Sequence, residues 1–514
     1  MITKESNLRM VVAGLLLGIL MAAMDNTIVA TAMPTIVGEM GGFNLYVWVT
    51  SAYMVATMAG MPIFGKLSDM YGRKRFYVFG LLVFLVGSAL CGTADSMIQL
   101  AIYRAIQGIG GGAVMPIAFT IIFDVFPPEK RGKMTGLFGA VFGVSSVAGP
   151  LLGAYITQYI GWEWVFYINL PLGLISLWFI MQFYKEKTTT KKQRIDWGGA
   201  ITLVVAIVSF MFALELGGKE YAWDSTVIIS LFAIFLVFLI AFLIIETRVQ
   251  EPIISFNLFK RRLFAASQGV GFFYGVSFVI ATVYIPLFVQ WVYGGSATDS
   301  GLVLTPMMIG SVVTSSIAGI MVAKRSYRSL MIVSGIFFIG GMFALSTIST
   351  DTPRTLLTLY MVLTGLGVGF SFSLLSMSSM HGMEFHQRGA ANSTASFSRS
   401  LGMTIGITLF GTIQSHMFQG RLQEVMPAGG PAMELKPETL MSGQMGDLPP
   451  EVARGLTTAL ADSIASTFQW ALIPVACALV CIALMGNARM IRGDQGQGRG
   501  GNSNEASELR AGEM

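Results

Sequence analysis

Long uncharged stretches alternate with short polar loops along nearly all of the 514 residues. Fourteen stretches are about 20 residues long, which is the length that an α-helix needs to cross the hydrocarbon core of a bilayer. They cover residues 10–33, 45–64, 76–94, 98–122, 134–157, 164–184, 197–216, 225–246, 264–291, 300–323, 330–348, 355–379, 390–415 and 467–487. The pattern predicts an all-α polytopic membrane protein with fourteen transmembrane helices.

The charged residues support this prediction and set an orientation. Only 12% of the residues are charged and 54% are hydrophobic, whereas a soluble protein has about 25% charged residues. Of the 33 Lys and Arg residues, 26 fall in segments on one predicted side of the membrane and 5 on the other. Because positive loops stay inside, both termini are expected to be cytoplasmic. This bias also explains the excess of basic residues without a nucleic-acid partner.

The three cysteines, Cys91, Cys477 and Cys481, lie in apolar segments. A disulfide framework is therefore not expected. Cys477 and Cys481 share a helix face, but no histidine or acid lies near them, so no metal site is predicted.

The predicted helices form an internal repeat. Helices one to six align weakly with helices nine to fourteen at offsets of 252 to 257 residues, as in Pro34 with Pro286, Gly65 with Gly319 and Gly149 with Gly406. Parallel repeats of this kind are common in transporters. Four domains are predicted. They are a six-helix bundle at 1–184, a linker with two inserted helices at 185–263, a second six-helix bundle at 264–487 and a disordered cytoplasmic tail at 488–514. The second bundle includes a long outer loop, 416–466, whose end is predicted to form a short amphipathic helix on the outer surface.

Asp25 is the lone charge in the segment from Met10 to Gly38. An acid at a bilayer centre costs roughly 2.5 to 3.5 kcal/mol on insertion scales, so such a residue is usually functional. In the repeat, Asp25 aligns with Ser277, and Arg104 aligns with Met361. Chemistry that depends on a titrating group inside the membrane is therefore expected in the first half, with Asp25 as the proton site.

The loop GKLSDMYGRKR, residues 65–75, combines an acid and two glycines with three basic residues. Inside-positive charge explains the basic residues but not the acid or the glycines. The loop resembles the signature loop of the major facilitator superfamily. In that family the acid and a following arginine hold the two halves together in the outward-facing state. The resemblance implies that Gly65, Asp69, Gly72 and Arg73 are gating residues.

Two further motifs lie within helices. YRAIQGIGGGAVMP, residues 103–116, places Arg104 about two turns inside helix four, where a guanidinium needs a partner, an aqueous cavity or a route to the interface. Its resemblance to the helix-four motif of the superfamily implies a role in proton transfer. GVSSVAGPLLGAYI, residues 143–156, resembles the helix-five motif associated with antiporters, and it contains Gly143, Gly149, Pro150 and Gly153.

With the aromatic cluster at 161–173 and SRSLG at 398–402, residues 10–415 resemble the fourteen-helix drug:proton antiporters of bacteria. The resemblance implies a major facilitator fold and proton-coupled export of amphipathic, mainly cationic drugs by alternating access. A monomer in the bacterial cytoplasmic membrane, driven by the proton gradient without a cofactor, is expected. Unlike some relatives, helix thirteen has Asn392 and Arg399 but no carboxylate.

The expected partners are drugs, protons and the lipid bilayer. Candidate substrate-binding residues are Asp25, Tyr53, Gln268, Tyr274, Tyr284, Phe370, Asn392 and Ser396. The 33 methionines would suit a wall that repacks around varied ligands. No phosphate-binding GxxxxGK[ST] loop and no set of hydrolytic residues occurs, so an ATP-driven pump and an enzyme are not expected. The alternatives are an exporter or flippase of an endogenous lipid or metabolite and, from a different class, a passive channel.

Overall fold

A computed structural model of the chain describes residues 7–41, 45–186, 195–218, 220–295, 297–425 and 450–489. Within these ranges the chain is almost wholly helical, with two isolated β-bridges and no strand. Fourteen helical segments follow one another in chain order at the fourteen predicted positions. The all-α prediction is confirmed.

The helices fall into three groups. The first group contains α1 Leu8–Met40, α2 Tyr46–Tyr71, α3 Arg73–Cys91, α4 Met97–Val125, α5 Pro128–Tyr159 and α6 Asn169–Phe183, with a one-turn helix at Trp164–Tyr167. Two further helices follow, α7 Trp197–Leu216 and α8 Thr226–Glu246. The last group contains α9 Arg262–Trp291, α10 Ala297–Met321, α11 Tyr327–Leu345, α12 Arg354–Ser379, α13 Arg388–Val425 and α14 Pro450–Leu484. Short helices at Phe256–Phe259 and Phe385–Gln387 precede α9 and α13.

Twelve of these helical segments, within the residues described, are long and apolar enough to span a membrane. The other two, α2 and α13, pack against each other. They approach so closely that a Cβ added at Gly65 would lie 2.0 Å from the Ser393 Oγ. Because polar side chains at this contact are shielded from lipid, α2 and α13 do not need to be strongly apolar. The fourteen-span count stays a prediction for these two helices.

Each group of six helices has its own apolar core. Leu81, Phe84 and Ile117 are fully buried in the first, and Phe288 and Phe338 are fully buried in the second. Apolar residues of α7 and α8 pack against α2, beside partly buried residues of α13. The inserted pair therefore covers the seam where α2 meets α13.

The repeat recurs in the packing of glycines against main-chain carbonyls. A Cβ added at Gly108 would lie 2.4 Å from the Tyr53 carbonyl oxygen, and one at Gly365 would lie 2.1 Å from that of Met307. The first contact joins α4 to α2, and the second joins α12 to α10 in the second bundle. Equivalent helices thus approach at equivalent heights in the two bundles.

The predicted outer loop, 416–466, is shorter in the structure, because α13 continues to Val425 and α14 begins at Pro450. The apolar spacing that predicted a separate surface helix belongs to the first turns of α14, where Leu456 and Ile464 are buried. An apolar span shows which part of a helix lies in the bilayer, but the helix can continue beyond that span. Residues 426–449 and nearly all of the predicted tail lie outside the described residues, as do residues 187–194 of the linker.

Candidate functional site

Asp25 lies at the centre of a polar cluster inside the first bundle. Its Oδ2 is 2.5 Å from Arg104 Nη1, and its Oδ1 accepts hydrogen bonds from Gln107 Nε2 at 2.7 Å and Asn169 Nδ2 at 3.0 Å. Arg104 Nη1 also donates to Gln107 Oε1 at 2.7 Å. Helices α1, α4 and α6 each supply part of the cluster. The carboxylate is therefore held by one cation and two amides.

The cluster is closed to solvent and to lipid. Asp25 is 0% exposed and Arg104 is 1% exposed, so Arg104 does not extend to the interface. A buried ion pair offsets its desolvation only when its geometry is good and its other polar atoms are satisfied. Here the Arg104 Nε has no hydrogen-bond partner among the described residues. The pair is thus buried and well aligned, but it keeps one unused donor.

Tyr53 separates this cluster from a cavity between the two bundles. The Arg104 Cζ lies 4.1 Å from the centre of the Tyr53 ring, within the range of a cation–π contact. Tyr53 also lines the cavity, whereas Asp25 and Arg104 do not. The neighbouring Asn26 does line it, because successive residues on a helix face different directions.

The cavity has a volume of about 290 Å³ and a mainly apolar wall rich in methionine. Its methionines are Met54, Met58, Met61, Met115, Met308 and Met403. Of the predicted substrate-binding residues, Tyr53, Tyr274 and Ser396 line it, together with Gly143 of the helix-five motif. Arg399 is the charged residue of this wall.

Four other predicted substrate-binding residues lie outside the cavity wall. Gln268 Nε2 donates to Ser379 Oγ at 3.2 Å, and Asn392 Nδ2 donates to the Pro116 carbonyl at 2.9 Å. Tyr284 and Phe370 are buried within the second bundle. In this conformation these side chains contribute to helix packing rather than to the cavity surface.

Two of the predicted gating residues, Asp69 and Arg73, form a charged cluster with Asp124 and Arg388 where the two bundles meet. We call this cluster of four residues the latch. Arg73 pairs with Asp69 at 2.6 Å and also with Asp124, while Arg388 pairs with Asp124 at 2.7 Å. The side chains of Asp69, Arg73 and Asp124 are at most 2% exposed. The latch therefore joins the first bundle to α13 at the end predicted to be cytoplasmic.

Main-chain groups complete the latch. Asp69 accepts hydrogen bonds from the amides of Gly389 and Ala390 at 2.8 and 2.7 Å, and Arg73 donates to the Phe385 carbonyl at 2.7 Å. Gly72, with φ of 106°, separates α2 from α3 in a conformation that favours glycine. It allows Arg73 to begin α3 beside Asp69. The bundles are thus closed together at this end.

The glycines of the helix-five motif place α5 between the two bundles. Added Cβ atoms at Gly149 and Gly153 would lie 1.9 and 2.1 Å from the hydroxyls of Thr27 and Thr31 on α1. One at Gly143 would lie 2.6 Å from the Val312 side chain on α10. Pro150 lies inside the helix. A helix in close contact with both bundles is suited to transmit a movement between them.

A family model of the Major Facilitator Superfamily matches residues 15–407. The chain belongs to this superfamily. It is 57% identical over 495 residues to Multidrug resistance protein 3 of Bacillus subtilis, covering 95% of this chain and 97% of that protein. It is 40% identical over 412 residues to the Multidrug transporter protein MdtP of the same organism, covering 80% and 76% respectively.

Solved structures agree on the fold. The proton:xylose symporter XylE aligns with a TM-score of 0.60 at 14% identity, over 94% of this chain and 97% of that one. The human organic anion transporter MFSD10 aligns with the same score at 15% identity, over 91% and 99%. The predicted superfamily and fold are confirmed, and the chain is a multi-pass membrane transporter rather than an enzyme.

Several residues of the site were missed by sequence reasoning. Gln107 and Asn169 lie within quoted motifs, but nothing local indicates that their amides meet on Asp25. For the latch, Arg388 enters the sequence prediction only as one of the basic residues on the cytoplasmic side, and Asp124 does not enter it at all. A signal for Asp124 was available, since it is an acid at the end of a predicted helix that precedes a basic loop.

Proposed function

We propose that the chain exports amphipathic drugs in exchange for protons by alternating access. The observation that carries this proposal is the buried Asp25–Arg104 pair directly behind Tyr53, a wall residue of the central cavity. The name of the relative with 57% identity supports drugs as the substrates. Both bundles of one chain line the cavity, which supports a functional monomer. The proton gradient is the proposed energy source.

The ion pair offers a route from proton to substrate. When Asp25 binds a proton, its carboxyl loses its charge and its attraction to Arg104 weakens. Arg104 then retains the Gln107 carbonyl oxygen and the Tyr53 ring as partners. Because Tyr53 also forms part of the cavity wall, the change in charge alters the surface that the substrate contacts. By linkage, a substrate that favours one position of Tyr53 changes the proton affinity of Asp25 by the same factor.

The latch would provide the conformational half of the cycle. With Asp69, Arg73, Asp124 and Arg388 paired, access to the cavity from the predicted cytoplasmic end is closed. Opening that end requires the contacts that cross between the bundles to break while each bundle keeps its own core. These are the Arg388–Asp124 pair, the hydrogen bonds of Asp69 with the two amides of α13, and the bond from Arg73 to the Phe385 carbonyl. A passive channel does not need two bundles that separate and rejoin, so contacts that cross between the bundles favour a transporter that alternates.

The expected preference for cations stays a prediction. It requires Asp25 to exchange Arg104 for the substrate, and Asp25 does not line the cavity in this conformation. Export of a lipid or metabolite is the alternative that a methionine-rich wall also permits. Competition between dyes and lipids for the same transport step separates the two substrates.

The test uses purified protein in liposomes with an imposed pH gradient and an ethidium-like dye. We expect the dye to move in the direction opposite to the flow of protons. The movement should stop when a protonophore collapses the gradient. Liposomes without protein provide the background. Dye movement that persists at the same rate without the gradient would contradict antiport and favour a passive pathway.

A further inference from the structure

The central cavity holds one charge, and it is positive. Among the described residues that line the cavity there is no Asp, Glu, Lys or His, and Arg399 of α13 is the single charged side chain. Its guanidinium carbon lies 5.3 Å from the centre of the Phe372 ring, which lines the same cavity. The wall therefore combines a cation with aromatic and apolar surface.

Arg399 differs from the other arginines that are buried between helices. Arg73 pairs with Asp69 and Asp124, and Arg104 pairs with Asp25. By contrast, Arg399 forms no ion pair and no hydrogen bond in the ranges that the structure describes. Arginines at membrane depth usually pair with an acid or face a cavity. Arg399 faces the cavity and has its donors free for a ligand.

Neighbouring side chains extend the polar surface along the same face of α13. Ser396, Ser400 and Thr404 also line the cavity, at spacings of about one helical turn from one another or from Arg399. The Thr404 hydroxyl donates to the Ser400 carbonyl at 3.1 Å. The hydroxyls of Ser396 and Ser400, beside the guanidinium, can donate to an oxyanion without adding charge. The methionines of the wall then face the apolar body of the same ligand.

We propose that Arg399 binds the carboxylate of amphipathic aromatic acids, so that the cavity accepts anionic and zwitterionic substrates. This inference rests on the proposed export function and assigns a substrate class to the same cavity. An arginine offers a carboxylate two parallel N–H donors, and the pair is strong where water is excluded. A purely cationic substrate would be repelled by Arg399 unless its charge lies away from this face.

The test compares two dyes that differ by one charge, a rhodamine with a free carboxyl group and the methyl ester of the same dye. Both are offered to proteoliposomes carrying the wild type, Arg399→Gln or Arg399→Lys. We expect Arg399→Gln to raise the KM of the acid about tenfold or more, since a charged hydrogen-bonded contact is lost. The KM of the ester should stay unchanged or fall. Arg399→Lys, which keeps the charge, should retain much of the acid transport.

Arg325→Gln is the matched control, since it removes an exposed arginine that does not line the cavity. Both KM values should stay as in the wild type. A second readout is independent of transport: the acid should raise the Tm of the wild type more than the ester does. The inference is overturned if Arg399→Gln changes both KM values alike or neither, or if the wild type carries only the ester. If the wild type carries neither dye under a gradient, the export function itself fails.

Discussion

The two bundles repeat the same helix packing but place charge differently. In the first bundle, Asp25 and Arg104 pair behind the cavity wall, whereas the aligned residues of the second bundle are the buried Ser277 and Met361. The second bundle instead presents Arg399 to the cavity without a counter-charge. Glycine contacts set the backbone spacing in both bundles, so the charged residues could diverge while the scaffold stayed the same.

This comparison assigns different tasks to the two bundles. In the first bundle, a proton on Asp25 would leave the buried Arg104 without its counter-charge, so proton exchange there is linked to the contacts of Arg104. A cation on the cavity wall is suited to contact a substrate. On the proposed mechanism, proton exchange belongs to the first bundle and recognition of substrate charge belongs to the second.

The largest expected effect is at Asp25. Asp25→Asn should abolish gradient-driven dye transport because an amide cannot bind the proton. It should also destabilise the protein by about 3 kcal/mol or more, since Arg104 is left buried without its counter-charge. Transport in proteoliposomes and thermal unfolding measure the two effects.

Two matched variants sharpen this result. Asp25→Asn combined with Arg104→Gln should recover stability but not transport, because both charges are gone. Ser277→Ala, at the aligned position of the second bundle, should keep transport and cost about 1 kcal/mol or less. A Ser277→Ala variant as inactive as Asp25→Asn would break the proposed division between the bundles.

A second effect is expected at the latch. Arg73→Gln leaves Asp69 and Asp124 buried without their shared cation, which should cost about 3 to 5 kcal/mol of the closed state. The predicted cytoplasmic end should then open more often. The measurement uses Ser393→Cys in a chain lacking Cys91, Cys477 and Cys481. This cysteine should react faster with a water-soluble maleimide when Arg73→Gln is present than when Arg73 is intact.

Arg325→Gln provides the comparison in the second bundle. There Ala323 aligns with Asp69 in the internal repeat, and the exposed Arg325 follows an alanine instead of an acid. It should leave the labelling rate at Ser393→Cys unchanged. Equal labelling in the two variants would mean that the latch does not hold the bundles closed.

The smallest effect is expected at the glycines. A Cβ at Gly406 would lie 2.4 Å from the Val276 carbonyl oxygen, which cannot move without the backbone. A Cβ at Gly149 meets only the Thr27 side chain at short range: the hydroxyl can rotate away, and the Thr27 Cβ at 2.9 Å needs only a small shift. Gly406→Ala should therefore cost about 1 to 3 kcal/mol and Gly149→Ala less. Gly340→Ala, with no atom within 4 Å of the added Cβ, is the control for thermal unfolding. The reverse order for Gly149 and Gly406 would contradict the packing.

Much of the fold and part of the site follow from the sequence. Apolar spans of the right length placed all fourteen helical segments, and the cost of an acid in a membrane singled out Asp25. The need of Arg104 for a partner was also predictable. That this partner is Asp25, with Gln107 and Asn169 beside it, depends on how three helices come together.

The cavity wall was harder to predict, because a helix turns by about 100° per residue and a small error in rotation moves a side chain from the cavity into the packing. Tyr274 faces the cavity, while Gln268 and Tyr284 on the same helix do not. Arg399 was noticed as an arginine inside a helix. Its free donors and the absence of acid from the surrounding wall became visible only in the assembled structure.

The central claim is that Asp25 exchanges a proton when substrate binds. It is tested most directly by adding an exported dye to the purified protein in weakly buffered detergent solution and following the pH. The account predicts that dye binding releases protons from the wild type and from Ser277→Ala, and that Asp25→Asn still binds the dye but releases none. Proton release from Asp25→Asn equal to that of the wild type would contradict it.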